Sequence, residues 1–114
     1  MPRYKMLILS RPAAGQDDAR FNAWYDGTHL EQMLTLKGFK SAQRFRLAHS
    51  LGDRQSHPYA AIYEIETDDL EAVMKDLYAE AGSGRLLVDA TLDRDSVYAA
   101  VYEERGPVRH TRAS

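Results

Sequence analysis

Residues 21–30, Phe21-Asn22-Ala23-Trp24-Tyr25-Asp26-Gly27-Thr28-His29-Leu30, lead into residues 37–45, Lys37-Gly38-Phe39-Lys40-Ser41-Ala42-Gln43-Arg44-Phe45. Phe21, Trp24 and Tyr25 recur at helical spacing and line one face of a helix over Asp18–Tyr25. Asp26-Gly27 reads as an interruption. The helix then resumes over Thr28–Leu36 with Leu30, Met33 and Leu34 inward, and Thr28 with Glu31 fits a capping box. Gly38 closes that piece. From Phe39 the period changes to two, placing Phe39, Ser41, Gln43, Phe45, Leu47 and His49 on one face. Lys40, Ala42, Arg44, Arg46 and Ala48 fall on the other.

Working outward, Tyr4–Ser10 is almost continuously apolar and reads as a central strand. Asp17 or Asp18 supplies the N-cap of the first helix. Tyr59–Glu66 alternates as a third strand. Thr67 or Asp68 caps a second helix over Leu70–Ala81, whose Leu70, Val73, Met74, Leu77 and Tyr78 form the apolar stripe. Gly82-Ser83-Gly84 ends it. The stretch from Arg85 to Asp95 reads as loop with a single helical turn, and Ser96–Glu104 as the last strand. Residues 105–114 lack periodicity and read as a mobile C-terminal tail, leaving residues 1–104 as one domain.

The order is β-α-β-β-α-β, the ferredoxin-like α+β pattern: a four-stranded antiparallel sheet with both helices on one face. The other face carries Phe, Tyr, Val and Ala with nothing to cover it. Contiguous apolar patches mark interaction surfaces, so a homodimer packed through the sheet face is expected.

A length of 114 residues suits a single core. The net charge of −2, with acids and bases interspersed, argues against a nucleic-acid or anionic-membrane partner. The chain has no cysteine, which removes disulfides, thiolate metal sites and cysteine nucleophiles. No stretch approaches the ~18 apolar residues of a membrane span, and no signal pattern opens the chain. A soluble cytoplasmic domain is expected.

His29 is the sharpest candidate for chemistry, because imidazole serves as general acid or base near neutrality with little tuning. Asp26 and Tyr25 stand close enough in sequence to orient it. The plainer reading is a helix-start histidine bonding a backbone carbonyl. Arg44 could clamp an anionic oxygen if its strand face lines a pocket, or else join Lys40 and Arg46 in a solvated ion-pair row. Tyr63, central in the third strand, is the first choice among the seven tyrosines to bond a ligand. His49 and His57 are too far apart across polar filler for a metal site, His110 has no supporting context, and no cofactor is expected. Gly82-Ser83-Gly84 lacks the surroundings of a phosphate loop.

The Trp24-Tyr25-Asp26-Gly27-Thr28-His29-Leu30 segment and the Gly38-Phe39-Lys40-Ser41-Ala42-Gln43-Arg44-Phe45 strand resemble the EthD-like members of the dimeric α/β-barrel superfamily. Lys37 stands where that family often has proline. The resemblance implies a dimeric barrel and carries His29 over first, then Trp24, Tyr25, Asp26 and Arg44. It implies a cofactor-independent isomerase, cyclase or lyase acting by proton transfer on a small aromatic, polyketide-like or lactone-type acid. Alternatives within the superfamily are a non-catalytic ligand-binding or stress-associated dimer and a cofactor-free quinol-forming monooxygenase. Its haem enzymes carry a ligating histidine in a later helix, and Leu70–Ala81 has none. A fold this widely shared does not fix the chemistry.

Overall fold

The apolar run Arg3–Ser10 forms strand β1, which pairs on both sides with antiparallel neighbours. In this computed structural model, which describes residues 1–52, 56–84 and 88–112, the other strands are β2 (Phe39–Arg46), β3 (Tyr59–Glu66) and β4 (Tyr98–Glu103). They hydrogen-bond in the order β2-β3-β1-β4. The helices are α1 (Asp18–Trp24), α2 (Leu30–Met33) and α3 (Leu70–Ser83), with a 3-10 turn at Arg94–Ser96 just ahead of β4. This is the ferredoxin-like arrangement expected from the order of elements.

The helices cover one sheet face. Met6 and Ser10 of β1 and Ala61, Tyr63 and Ile65 of β3 alternate inward and are buried, together with Phe21, Tyr25, Met33 and Val73 from the helical layer. On the opposite face Leu7, Leu9 and Ile62 are only half-buried, while Phe45, Tyr98 and Tyr102 are exposed. The molecule is a slab of 45 × 38 × 22 Å with a radius of gyration of 15.6 Å. A compact chain of this length should have a radius near 13 Å, about what a two-sided core would give. One side of the sheet is thus left without a layer.

Two local features depart from the expected pattern. The first helix does not break at Asp26-Gly27. It continues through a π-helical turn, Tyr25–His29, in which the Leu30 N–H donates to the Tyr25 carbonyl five residues back. Gly27 has no positive φ, and a Cβ there would meet nothing within 4 Å, so its backbone follows the helix. The expected Thr28–Glu31 capping box therefore has no helix start to cap: α2 makes no side-chain capping bond. The helix also tightens after Met33, which leaves Leu34 exposed and turns Leu36 inward instead.

The second departure lies in β2. Phe39 pairs with Ile65 but Ser41 pairs with Glu64, so Lys40 is an extra residue, a β-bulge. One inserted residue reverses every later side chain. Phe39 is buried under the helices, and past the bulge Ala42 and Arg44, opposite Tyr63 and Ala61, share that face. Ser41, Gln43 and Phe45 move to the uncovered face. The alternation read from the sequence is correct on each side of Lys40 and out of phase across it.

The remaining boundaries shift slightly. Asp17 caps α1, accepting from Ala19 N at 2.9 Å. Asp69, not Thr67 or Asp68, caps α3, accepting from Ala72 N, and Thr67 Oγ instead accepts from Asp69 N. The helix runs on to Ser83 and ends at left-handed Gly84, and Tyr78 on it is 72% exposed rather than inside the stripe. Residues 105–112 are exposed and carry no helix or strand. The loop expected over residues 85–95 is described only from Val88 onward; there Leu92 bridges Pro12 and the 3-10 turn follows.

Candidate functional site

Between the helical layer and the β3-β1-β4 part of the sheet lies a cavity of about 560 Å³, within the range of small-molecule sites. Trp24, Tyr25, His29 and Met33 descend from the first helix, and Tyr63 rises from β3. Met6, Ile8 and Ser10 form the floor on β1. Met74, Leu77 and Ala81 of α3, with Leu92, Val97 and Val101, close the far side. Among the described residues no Asp, Glu, Lys or Arg side chain lines it.

The π turn decides what faces this space. By widening the helix for one turn it brings His29 beneath Trp24, with the two rings stacked at 4.8 Å, and against the edge of Tyr25 at 4.9 Å. Single π turns within α-helices recur at functional sites. His29 Nδ1, Trp24 Nε1 and the Tyr63 hydroxyl are buried without a hydrogen-bond partner of ordinary geometry. Buried polar groups are nearly always paired, so three such atoms in one cavity wall call for an explanation.

Burial also sets the protonation of the site. It lowers His29 from its ordinary 6.5 to about 4, and the positive charge of Arg44 adds to the effect, so the imidazole is neutral at physiological pH. Burial pushes the Tyr63 phenol well up, and the neighbouring Tyr25 raises it further. Tyr25 is likewise raised by burial, against the lowering influence of the Tyr63 hydroxyl and Arg44. The two phenols are close enough to shift one another, their contact lowering Tyr25 and raising Tyr63. The result is one neutral acceptor and phenols that stay protonated.

Arg44 and Asp26 lie outside the cavity. The bulge at Lys40 directs Arg44 beneath α1, where its guanidinium sits over the rings of Tyr25, Tyr59 and Phe21. Its Nη1 donates to Asn22 Oδ1 at 2.8 Å and to Asp26 Oδ1 at 3.1 Å. Asn22 Nδ2 donates to the Tyr59 hydroxyl, which donates to Asp18 Oδ2 at 2.8 Å. Asp26 thus faces Arg44 and not His29. The structure brings Trp24, Tyr25, His29 and Tyr63 together and gathers Arg44 with Asp26 into a polar network behind them. Sequence reading missed Asn22 and Tyr59; the i, i+4, i+8 spacing of Asp18, Asn22 and Asp26 was the available signal, a polar stripe on one helix face.

Elsewhere, His57 Nε2 donates to the Ser96 carbonyl, fastening the β2–β3 connection to the turn before β4. His49 and His110 are exposed. Among the described residues no cluster of His, Asp or Glu is arranged to hold a metal ion, and no helix is long and apolar enough to cross a membrane. A wider, open groove of about 650 Å³ is bordered by Arg11, Gln16, Asp18, Leu47 and Ser50 and contains none of the expected site residues.

These features define a ferredoxin-like α+β domain with an apolar cavity between its helices and sheet. No protein-family model matches the sequence, and no curated protein does. Solved structures do. An ethyl tert-butyl ether D (EthD) family protein from Bacillus halodurans is 17% identical with a TM-score of 0.56, over 91% of this chain and 99% of that one. A protein from Shewanella loihica, provisionally described as a monooxygenase, is 16% identical with a TM-score of 0.55, over 97% and 99%. A dimeric ferredoxin-like protein of unknown function from Jannaschia is 15% identical with a TM-score of 0.58, over 90% and 99%. At such identities the likeness carries the fold alone, the ferredoxin-like one expected from the order of elements.

Proposed function

We propose that the protein is a cofactor-independent enzyme of the isomerase, cyclase or lyase kind, working by proton transfer in the cavity under the π turn. The observation that carries this is a neutral, half-buried His29 sharing one cavity with the Tyr63 phenol. In the isomerase form, His29 takes a proton from a carbon next to a substrate carbonyl. The C–H electron pair becomes the C=C bond of an enolate as the carbonyl π pair moves onto oxygen, which accepts a hydrogen bond from Tyr63. In a β,γ-unsaturated substrate the same proton returns to the γ carbon, the dienolate electrons forming that C–H bond and the carbonyl reforming. No net oxidation or co-reactant is involved. An imidazole held near pKa 4 is a weak base. A developing enolate beside it favours the imidazolium, which raises that pKa as the reaction proceeds. Trp24 and Tyr25 fix the ring by stacking and edge contact. Asp26 and Arg44 act from behind by holding the turn.

The test is hydrogen–deuterium exchange at the activated carbon of ring ketones and β-dicarbonyl compounds, followed by NMR. Wild-type protein should accelerate exchange and His29→Ala should lose most of the effect, since one positioned proton-transfer group is worth about 10²–10⁴ in rate. Equal acceleration by both would remove His29 from the reaction. A second reading, supported by the provisional description of the Shewanella neighbour, is cofactor-free oxygenation of a phenol deprotonated in the same place. It predicts oxygen uptake with an electron-rich phenol. Binding without exchange or oxygen uptake would instead indicate a non-catalytic carrier.

The same proposal includes a homodimer in a cytoplasmic setting. Leu7, Leu9, Ile62, Phe45 and Tyr98 form the uncovered sheet face, and the Jannaschia neighbour is itself described as dimeric. Light scattering after size exclusion should give twice the 12.9 kDa chain mass. A monomer mass at micromolar concentration would contradict it.

A further inference from the structure

We propose that the ligand is an uncharged, single-ring phenol or ring ketone with a short apolar substituent, its oxygen under the π turn and its substituent between α3 and β4. This rests on the reading of the cavity as the reacting site and replaces the expectation of a carboxylic acid.

Charge comes first. Arg44, the cation expected to hold an anionic oxygen, does not line the cavity, and its Nη1 is bonded to Asn22 and Asp26. No other basic side chain lines the space among the described residues, and His29 is held neutral. A carboxylate entering it would lose its water without gaining a counter-charge, a heavy penalty for an ion. A neutral oxygen meets what it needs: the unpartnered Tyr63 hydroxyl, Trp24 Nε1 and His29 Nδ1 belong to side chains that line the same wall.

The cavity also has two ends. Trp24, Tyr25, His29 and Tyr63 cluster on the β3 side, each within ring contact or electrostatic reach of another. Across β1, the lining from β4 and α3 is Ala99, Val101, Met74, Leu77 and Ala81. Among the described residues only Ser10 and Tyr78 bring hydroxyls there, and Tyr78 stands at the rim, mostly in solvent. Two strand spacings separate β3 from β4, about 10 Å, the reach of one ring plus a short chain. Aromatic walls at the polar end suit a flat ring, and aliphatic walls toward the rim suit its substituent.

Trp24 is the sole tryptophan and lines the cavity, so its fluorescence reports occupancy without requiring turnover. Phenol and its 4-alkyl homologues should quench or shift the emission, with affinity rising about fourfold per added methylene until the chain reaches the rim, the equivalent of ~0.8 kcal/mol each. The 4-alkylbenzoates of equal length should bind at least about tenfold more weakly at neutral pH. Tyr63→Phe should erase the preference for a phenol over the matching alkylbenzene, while Ala99→Phe should flatten the chain-length series. Isothermal titration on the same proteins guards against a variant that alters fluorescence alone. Benzoates binding as well as phenols, or no dependence on chain length, would overturn the proposal even if His29-dependent exchange were intact. Tight phenol binding with no exchange would leave the ligand class standing and remove the catalytic reading.

Discussion

The Arg44 guanidinium carbon lies 4.2 Å from the centre of the Tyr25 ring, beneath α1. Tyr25 in turn meets His29 edge-on at 4.9 Å. The arginine therefore acts on the site through Tyr25, and through Asp26, which it anchors at the π turn. Its positive charge also disfavours imidazolium at His29. Three features of the sequence meet here: the bulge at Lys40 aims Arg44, the stripe of Asp18, Asn22 and Asp26 receives it, and the aromatics flank it.

Replacing Arg44 by Met should raise the His29 ionisation midpoint from about 4 part of the way toward 6.5. The shift should be partial, because burial, the larger cause, stays. Arg44→Lys keeps the charge and should move the midpoint less. Side-chain NMR of the histidine through a pH titration measures both. An unchanged midpoint in Arg44→Met would mean that the arginine does no more than hold the turn.

How far the sequence went can be judged at these residues. His29 is legible as a site candidate from imidazole chemistry, Tyr25 from its place beside it and Tyr63 from its mid-strand position, while Trp24 enters through the EthD-like resemblance. The π turn and the bulge were not. Each is a single inserted residue that leaves the pattern intact on both sides and shifts its phase between them, so counting from one end misplaces the other. Local period therefore leaves the face of Arg44 open and sets Asp26 beside His29 in sequence, whereas the fold turns Asp26 to Arg44. Leu92 and Val97, which line the cavity, sit in or beside the stretch with the weakest pattern, where tertiary contacts rather than local period fix the chain.

Stability should respond to pH through His29. Its folded pKa of about 4 lies below the ordinary 6.5, so between those values the unfolded chain binds more protons than the folded one. Stability therefore rises with pH across this window, is fully present above 6.5, and is lost as pH falls toward 4. His29→Asn should show a flatter dependence of thermal midpoint on pH over that range. Parallel curves for the two proteins would contradict the depressed pKa.

Gly38 should be intolerant of a side chain. Its φ is +93°, a Cβ there would stand 3.1 Å from Val73 Cγ2, and its carbonyl accepts from Glu66 N at 2.9 Å. Gly38→Ala combines backbone strain with a clash against a buried residue of α3. A loss of about 1–3 kcal/mol is expected in urea unfolding. Gly27→Ala, where a Cβ meets nothing within 4 Å, should be neutral or slightly stabilising, since alanine is the better helix former. Similar losses at both positions would show that general helix or turn content, and not the contact with Val73, sets the cost.

Deleting Gly27 tests whether the π turn serves the site or only the fold. The turn spans five residues where an α-helical turn would span four, and its extra length places His29 under Trp24. Without Gly27 the segment can close as ordinary α-helix, and the space beside Gly27 is open, since a Cβ there would meet nothing within 4 Å. The melting temperature should hold or rise, because a π turn gives up regular i→i+4 bonding and a mid-helix glycine lowers helix stability by about 0.5–1 kcal/mol relative to alanine. Ligand-induced change in Trp24 fluorescence and His29-dependent proton exchange should both fall sharply, since the stacked Trp24–His29 pair can no longer form in the same place. A deletion variant that melts lower yet binds and exchanges normally would assign the turn to folding alone.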